Sequence, residues 1–190
     1  MKNFFYLTLT SFIFSSILWI LWQFLDTHAF FLAGKGGFFY LPHAARVLCI
    51  VYFGYRAIPG VYLGELAGPY VIAPDMYAFS TLIPSFISVI SVPFAIALLN
   101  SLGLTLGQTR SSPLNKRNYK HIFLITFISA GFNALVVNLY MSRNNLSFSN
   151  AITDIEQVYR FFLGDILGTV IVFIFLATLL LPLLRQARIQ

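Results

Sequence analysis

The chain has 190 residues, of which 58% are hydrophobic and 17% aromatic but only 9% charged; this excludes a soluble domain and reads as an integral membrane protein. Its one cysteine, Cys49, lies in an apolar run, which excludes an internal disulfide and a thiolate metal cluster and reads as a small core residue. The net charge of +6 is not read as a nucleic-acid signal, because the basic residues flank apolar stretches, where membrane lipid and topology account for them.

Residues 4–25 form an uninterrupted apolar run after Lys2. It is longer than a signal-peptide core and no small-x-small cleavage site follows, so it is expected to stay as helix one. Trp19 and Trp22 stand near its far end, where interfacial anchors belong. A loop over 26–37 ends in Gly34-Lys35-Gly36-Gly37, and helix two is expected over 38–55, with Pro42 in its first turn. Arg56 to Ile58 make a turn and Pro59 opens helix three, which runs to about 73 and is short for a span.

Helix four is expected over 78–100 with Pro84 and Pro93 inside it. Thr81, Ser85 and Ser88 share one face there, either as ordinary small-residue contact or as a hydroxyl-lined wall. A polar loop with Arg110, Lys116, Arg117 and Lys120 leads to helix five, 121–141, which contains Asn133 and Asn138. In the loop over 142–157, Thr153-x-x-Glu156 has the form of a capping box, and the last helix crosses over 159–184. Asn145-Leu146-Ser147 matches a glycosylation sequon, a pattern that arises easily by chance.

With the N-terminus inside, the inner segments hold Lys2, Arg56, Arg110, Lys116, Arg117, Lys120, Arg185 and Arg188, and the outer ones only Lys35, Arg143 and Arg160. The positive-inside rule then gives an all-α integral membrane protein: one transmembrane domain over 1–190, a six-helix bundle with both termini cytoplasmic.

Three ionisable residues fall inside spans: Arg46, Glu65 and Asp165. At the helical rise all three lie roughly 9–12 Å below the outer surface. An intramembrane charge costs at least about 2.5 kcal/mol, so three at one depth imply mutual pairing or a hydrated cavity. Arg46 keeps its proton, one or both acids are its natural partners, and His43, one turn earlier, joins them. The cluster is either a structural ion pair or a ligand-binding site; one arginine facing two acids leaves a surplus negative charge that suits a cation, a proton or a polar donor.

Gly60, Gly64 and Gly68 repeat every fourth residue, as do Gly164 and Gly168, so two helices carry grooves for close approach. The hexapeptides LGELAG (Leu63 to Gly68) and LGDILG (Leu163 to Gly168) resemble each other, as inverted transporter repeats would, but the likeness stops at six residues. Catalysis is not expected. His28, His43 and His121 are scattered, no metal motif is present, and Asp165 lacks the second aspartate of a shared-proton dyad. No cofactor is expected.

Leu41-Pro42, Gly54-Tyr55-Arg56-Ala57-Ile58-Pro59-Gly60 and Leu63-Gly64, followed by Gly164-Asp165 and Gly168 in the last helix, resemble the MASE1 type of bacterial membrane-associated sensor domain. The resemblance implies a signal-input bundle in the bacterial inner membrane. Members usually have more spans and feed an output domain through the last helix. This chain reaches only six spans and Gln190, so the expectation is a free-standing sensor-like bundle, a piece of a longer protein, or a relative whose output passes to a separate signalling protein. The function expected is binding of a small polar or cationic ligand by His43, Arg46, Glu65 and Asp165 in the outer half of the membrane. The alternative is a small proton- or cation-coupled transporter using the same charges.

Overall fold

A computed structural model describes residues 2–28, 39–72, 81–104, 119–144 and 154–180. Lys35, Arg110, Lys116, Arg117, Arg185, Arg188, the sequon at Asn145 and the capping threonine Thr153 lie outside the described residues.

The described elements are helical: α1 (Lys2–His28), α2 (Pro42–Phe53), a 3-10 turn (Gly54–Ala57), α3 (Ile58–Ile72), α4 (Leu82–Ser101), α5 (Tyr119–Arg143) and α6 (Asp154–Phe175), which runs on into a π-helical turn over Leu176–Leu180. Among them, 5 stretches are long and apolar enough to cross a membrane: Asn3–Leu25, Pro42–Val71, Leu82–Ser101, Tyr119–Arg143 and Ile155–Thr178. This is an all-α, multi-pass membrane bundle.

The residues expected to form separate second and third spans make up a single helical run broken at Gly54. That glycine takes φ 70 and ψ −160, a conformation that side-chain-bearing residues avoid, and it ends α2. The 3-10 turn then leads into α3, where Pro59 sits in the first turn and its missing N–H is harmless. Arg46 and Glu65 meet at 2.8 Å although they are 19 residues apart; in one straight helix about 28 Å would separate them. α2 and α3 are therefore the two arms of a helical hairpin. Their 12 and 15 residues give arms of about 18 and 22 Å, less than the hydrocarbon thickness of about 30 Å.

α1 lies along α3, running in the same direction. Gly60 meets the Thr8 carbonyl, Gly64 meets Ser15 and Gly68 meets Trp19. A methyl group on Gly60 would collide with the Thr8 backbone, and one on Gly64 would come within 2.6 Å of Ser15 Cβ. The every-fourth-residue glycines thus accommodate a neighbouring helix in the same chain. Thr8 also donates from Oγ1 to the carbonyl of Arg56, which puts the hairpin tip beside the start of α1.

α2 is the centre of the bundle. It touches α1, α3, α4, α5 and α6, and all its residues from Pro42 to Val51 are buried. Its mostly apolar residues are buried on every face, and Ala44 and Ala45 let the neighbours close in. Val47, Ile50 and Val51 pack with Val61 of α3, Val89 and Val92 of α4, and Ile122 and Ile125 of α5. On the outer face, Phe5, Ile13, Ile17 and Phe24 of α1, Leu135 and Leu139 of α5, and Ile171 and Ile174 of α6 are exposed, as lipid contact requires.

Candidate functional site

Because α2 is surrounded, any polar residue on it must find its partners inside the bundle. Arg46 is 2% exposed and Glu65 of α3 is 3% exposed. The Arg46 guanidinium donates twice to this carboxylate, Nε to Oε1 at 2.8 Å and Nη2 to Oε2 at 2.8 Å. The fork-to-fork geometry neutralises both charges within one plane. Tyr40, just before α2, closes the pair from the side: its hydroxyl donates to Glu65 Oε2 at 3.3 Å and accepts from Arg46 Nη2 at 3.3 Å. The same tyrosine ring lies 5.2 Å from the guanidinium carbon and packs edge-on against Trp22, with centroids 4.9 Å apart. Trp19 and Trp22, expected as interfacial anchors, pack into this corner, Trp19 against Gly68 and Trp22 against Tyr40.

Asp165 of α6 is buried beside His43, one turn of α2 before Arg46. Asn133 of α5 donates from Nδ2 to Asp165 Oδ2 at 2.7 Å, and His43 Nδ1 stands 3.5 Å from the same oxygen. His43 is fully buried and joins the two halves of the cluster. Its Nδ1 is 3.4 Å from Arg46 Nη1, and its Nε2 is 3.1 Å from Ser129 Oγ on α5. Ser129 in turn donates to the Thr126 carbonyl at 3.2 Å. Asn133 Oδ1 is buried with no hydrogen-bond partner.

The structure therefore brings His43, Arg46, Glu65 and Asp165 into one buried chain of contacts, with a division that charge counting alone does not give. Arg46 pairs with Glu65, whereas Asp165 meets His43 and Asn133. The net charge of Arg46 and Glu65 is zero. With neutral His43, an ionised Asp165 leaves the cluster one negative charge in excess.

The packing glycines divide as well. Gly60, Gly64 and Gly68 receive α1, whereas Gly168 receives the Tyr40 backbone, and the Tyr40 N–H donates to the Gly164 carbonyl at 2.7 Å. Ser88 is buried on α4, and Ser91 nearby donates to the Ser88 carbonyl within its own helix. Among the described residues no group of three or more His, Cys, Asp and Glu side chains is placed to hold a metal ion.

Tyr40, Ser129 and Asn133 belong to the site; of these the sequence marks only Asn133, as a polar residue inside helix five, without tying it to the charged cluster. Asn133 could have been tied to it, because an amide in an apolar helix needs a partner. Asn138, the same residue type five positions on, donates to the Ala134 carbonyl of its own helix, so type alone does not separate the two. Tyr40 gave no signal beyond an aromatic residue near a helix start.

No protein-family model, curated protein or solved structure matches the chain.

Proposed function

We propose that the protein is a membrane-embedded signal-input module of the bacterial inner membrane that binds a small cationic or donor-bearing ligand at Asp165. One observation carries this reading: the buried cluster is short by one positive charge. Arg46 and Glu65 satisfy each other, and among the described residues the side chains in polar contact with Asp165, 2% exposed, are an amide and an imidazole. A carboxylate so enclosed costs several kcal/mol, roughly, unless a cation or proton joins it. Asn133 Oδ1, buried and without a donor, is an acceptor that such a ligand would use.

In the topology we propose, the hairpin arms are short crossings, which gives six helices with both ends cytoplasmic. Lys2 and Arg56 then share the inner side, in keeping with the contact between Thr8 and the Arg56 carbonyl. The likeness to membrane-associated sensor domains agrees with a bundle whose last helix carries a ligand group, and the output would pass to a separate protein. A small coupled transporter would use the same residues.

The test uses protein reconstituted in liposomes. Protons, sodium, potassium and methylammonium are titrated while the melting temperature is followed, and gradient-driven flux is measured in parallel. One of these probes should raise the melting temperature, the shift should vanish in Asp165→Asn, and no flux should appear. Flux driven by an ion gradient would replace the sensor with a transporter.

A further inference from the structure

The ligand proposed at Asp165 can be sharpened to a chemical species. Resting on that reading of the site, we infer that the occupant is a single exchangeable proton carried by Asp165 Oδ2 where it faces His43 Nδ1, joining α2 to α6.

Hydrogen-bond direction leads to it. The Ser129 hydroxyl has one proton, which it gives to the Thr126 carbonyl. Its contact with His43 Nε2 at 3.1 Å is then made by a proton on Nε2. With Nε2 protonated, neutral His43 presents a lone pair at Nδ1, which lies 3.4 Å from the donor Arg46 Nη1 and 3.5 Å from the carboxylate oxygen Oδ2. Two acceptors face each other across the Nδ1–Oδ2 contact, which becomes attractive once Oδ2 carries a proton; a proton on Nδ1 would instead face the Arg46 N–H.

Charge leads to the same place. That proton makes the whole cluster neutral: Arg46 with Glu65, and Asp165 with the proton. The charge beside the gap is Arg46, whose carboxylate partner is Glu65. From α2 and the residue before it, Arg46 and Tyr40 face the pair, and α3 contributes Glu65, already held by Arg46. The described part of α5 near the site contributes Ser129, Thr126 and Asn133, none ionisable, and α6 adds Thr169, which donates to the Asp165 carbonyl. α4 has no ionisable residue, and α1 has none between Tyr6 and Asp26.

Loss of the proton would leave one bare negative charge between α2 and α6 and make their separation, or the arrival of another cation, favourable. The contact is thus a pH-dependent link between α2 and α6.

The chain has three histidines, so 15N-histidine NMR on the reconstituted protein reads the site directly, with His28→Gln and His121→Gln used to isolate His43. The expected result is Nε2 protonated, Nδ1 in a strong hydrogen bond, and release of one proton as pH rises, with a midpoint unmoved by sodium or potassium. In Asp165→Asn that step should be lost. If this variant fails to fold, infrared detection of a protonated carboxyl group in the unaltered protein, disappearing over the same pH range, supplies the second readout. A neutral His43 protonated on Nδ1, beside an ionised Asp165 at every pH, would overturn the inference. A midpoint that moves with sodium or potassium would also overturn it, but would leave a cation site at Asp165 standing. His43 signals indifferent to pH and to every cation would remove both.

Discussion

The backbone N–H of Tyr40 donates to the carbonyl of Gly164 at 2.7 Å, and its hydroxyl donates to Glu65 Oε2 at 3.3 Å. One residue therefore bridges the two look-alike hexapeptides, LGELAG through its side chain and LGDILG through its backbone. The glycine of the second hexapeptide that matters most for this bridge is Gly168, against whose Cα the Tyr40 peptide rests. Gly168→Ala places a methyl group inside that peptide, which cannot swing away as a side chain would. A loss of about 1–3 kcal/mol is expected in detergent unfolding. Gly131→Ala is the control: its nearest contact would be a Phe162 ring carbon at 3.8 Å, so it should be neutral or gain up to about 1 kcal/mol of helix propensity.

Removing one partner of the Arg46–Glu65 pair leaves the other charge buried and unpaired. Arg46→Met and Glu65→Gln should each cost about 3–5 kcal/mol. The double variant Arg46→Met with Glu65→Met should recover much of that loss. A thermal or denaturant double-mutant cycle measures the coupling, and strictly additive losses would show that the pair contributes nothing beyond its separate residues.

Asn133 and Asn138 should behave differently under the same change. Asn133→Leu removes the amide donor of Asp165 and is expected to cost about 2–3 kcal/mol. Asn138→Leu frees only the Ala134 carbonyl of its own helix and is expected to cost less than about 1 kcal/mol. Unfolding midpoints of the two proteins in one detergent decide the order.

The hairpin places Arg56 beside the start of α1. In a Cys49→Ser background, Arg56→Cys and Lys2→Cys should react with a membrane-impermeant thiol reagent from the same side. Labelling from opposite sides would rule out the side-by-side arrangement of hairpin tip and α1.

Composition and apolar run length were enough to read a helical membrane bundle, because lipid leaves few alternatives for backbone hydrogen bonds. The convergence of His43, Arg46, Glu65 and Asp165 was also legible, since charge at one depth has to be shared. What sequence did not resolve was which acid Arg46 takes. Glu65 wins because the hairpin turn at Gly54 brings α3 back alongside α2, a local conformation that fixes the pairing before α6 is reached. The occupants of the glycine grooves were not legible either. Spacing shows that something approaches closely, but not that α1 fills one groove and the backbone of Tyr40 the other.

The division of the cluster also has a consequence for how the chain is made. The first three helices already contain a complete, self-neutralising pair, held along the glycine seam by α1, so the early half can settle in the bilayer without waiting for the rest. The second half brings its own acid with its own amide, Asp165 with Asn133. His43 is the polar side chain that reaches from the first half to the second, touching both Asp165 and Ser129. α6, the latest of the described helices to be synthesised, is therefore the one that completes the cluster, and His43 has these partners only when translation has passed Asp165.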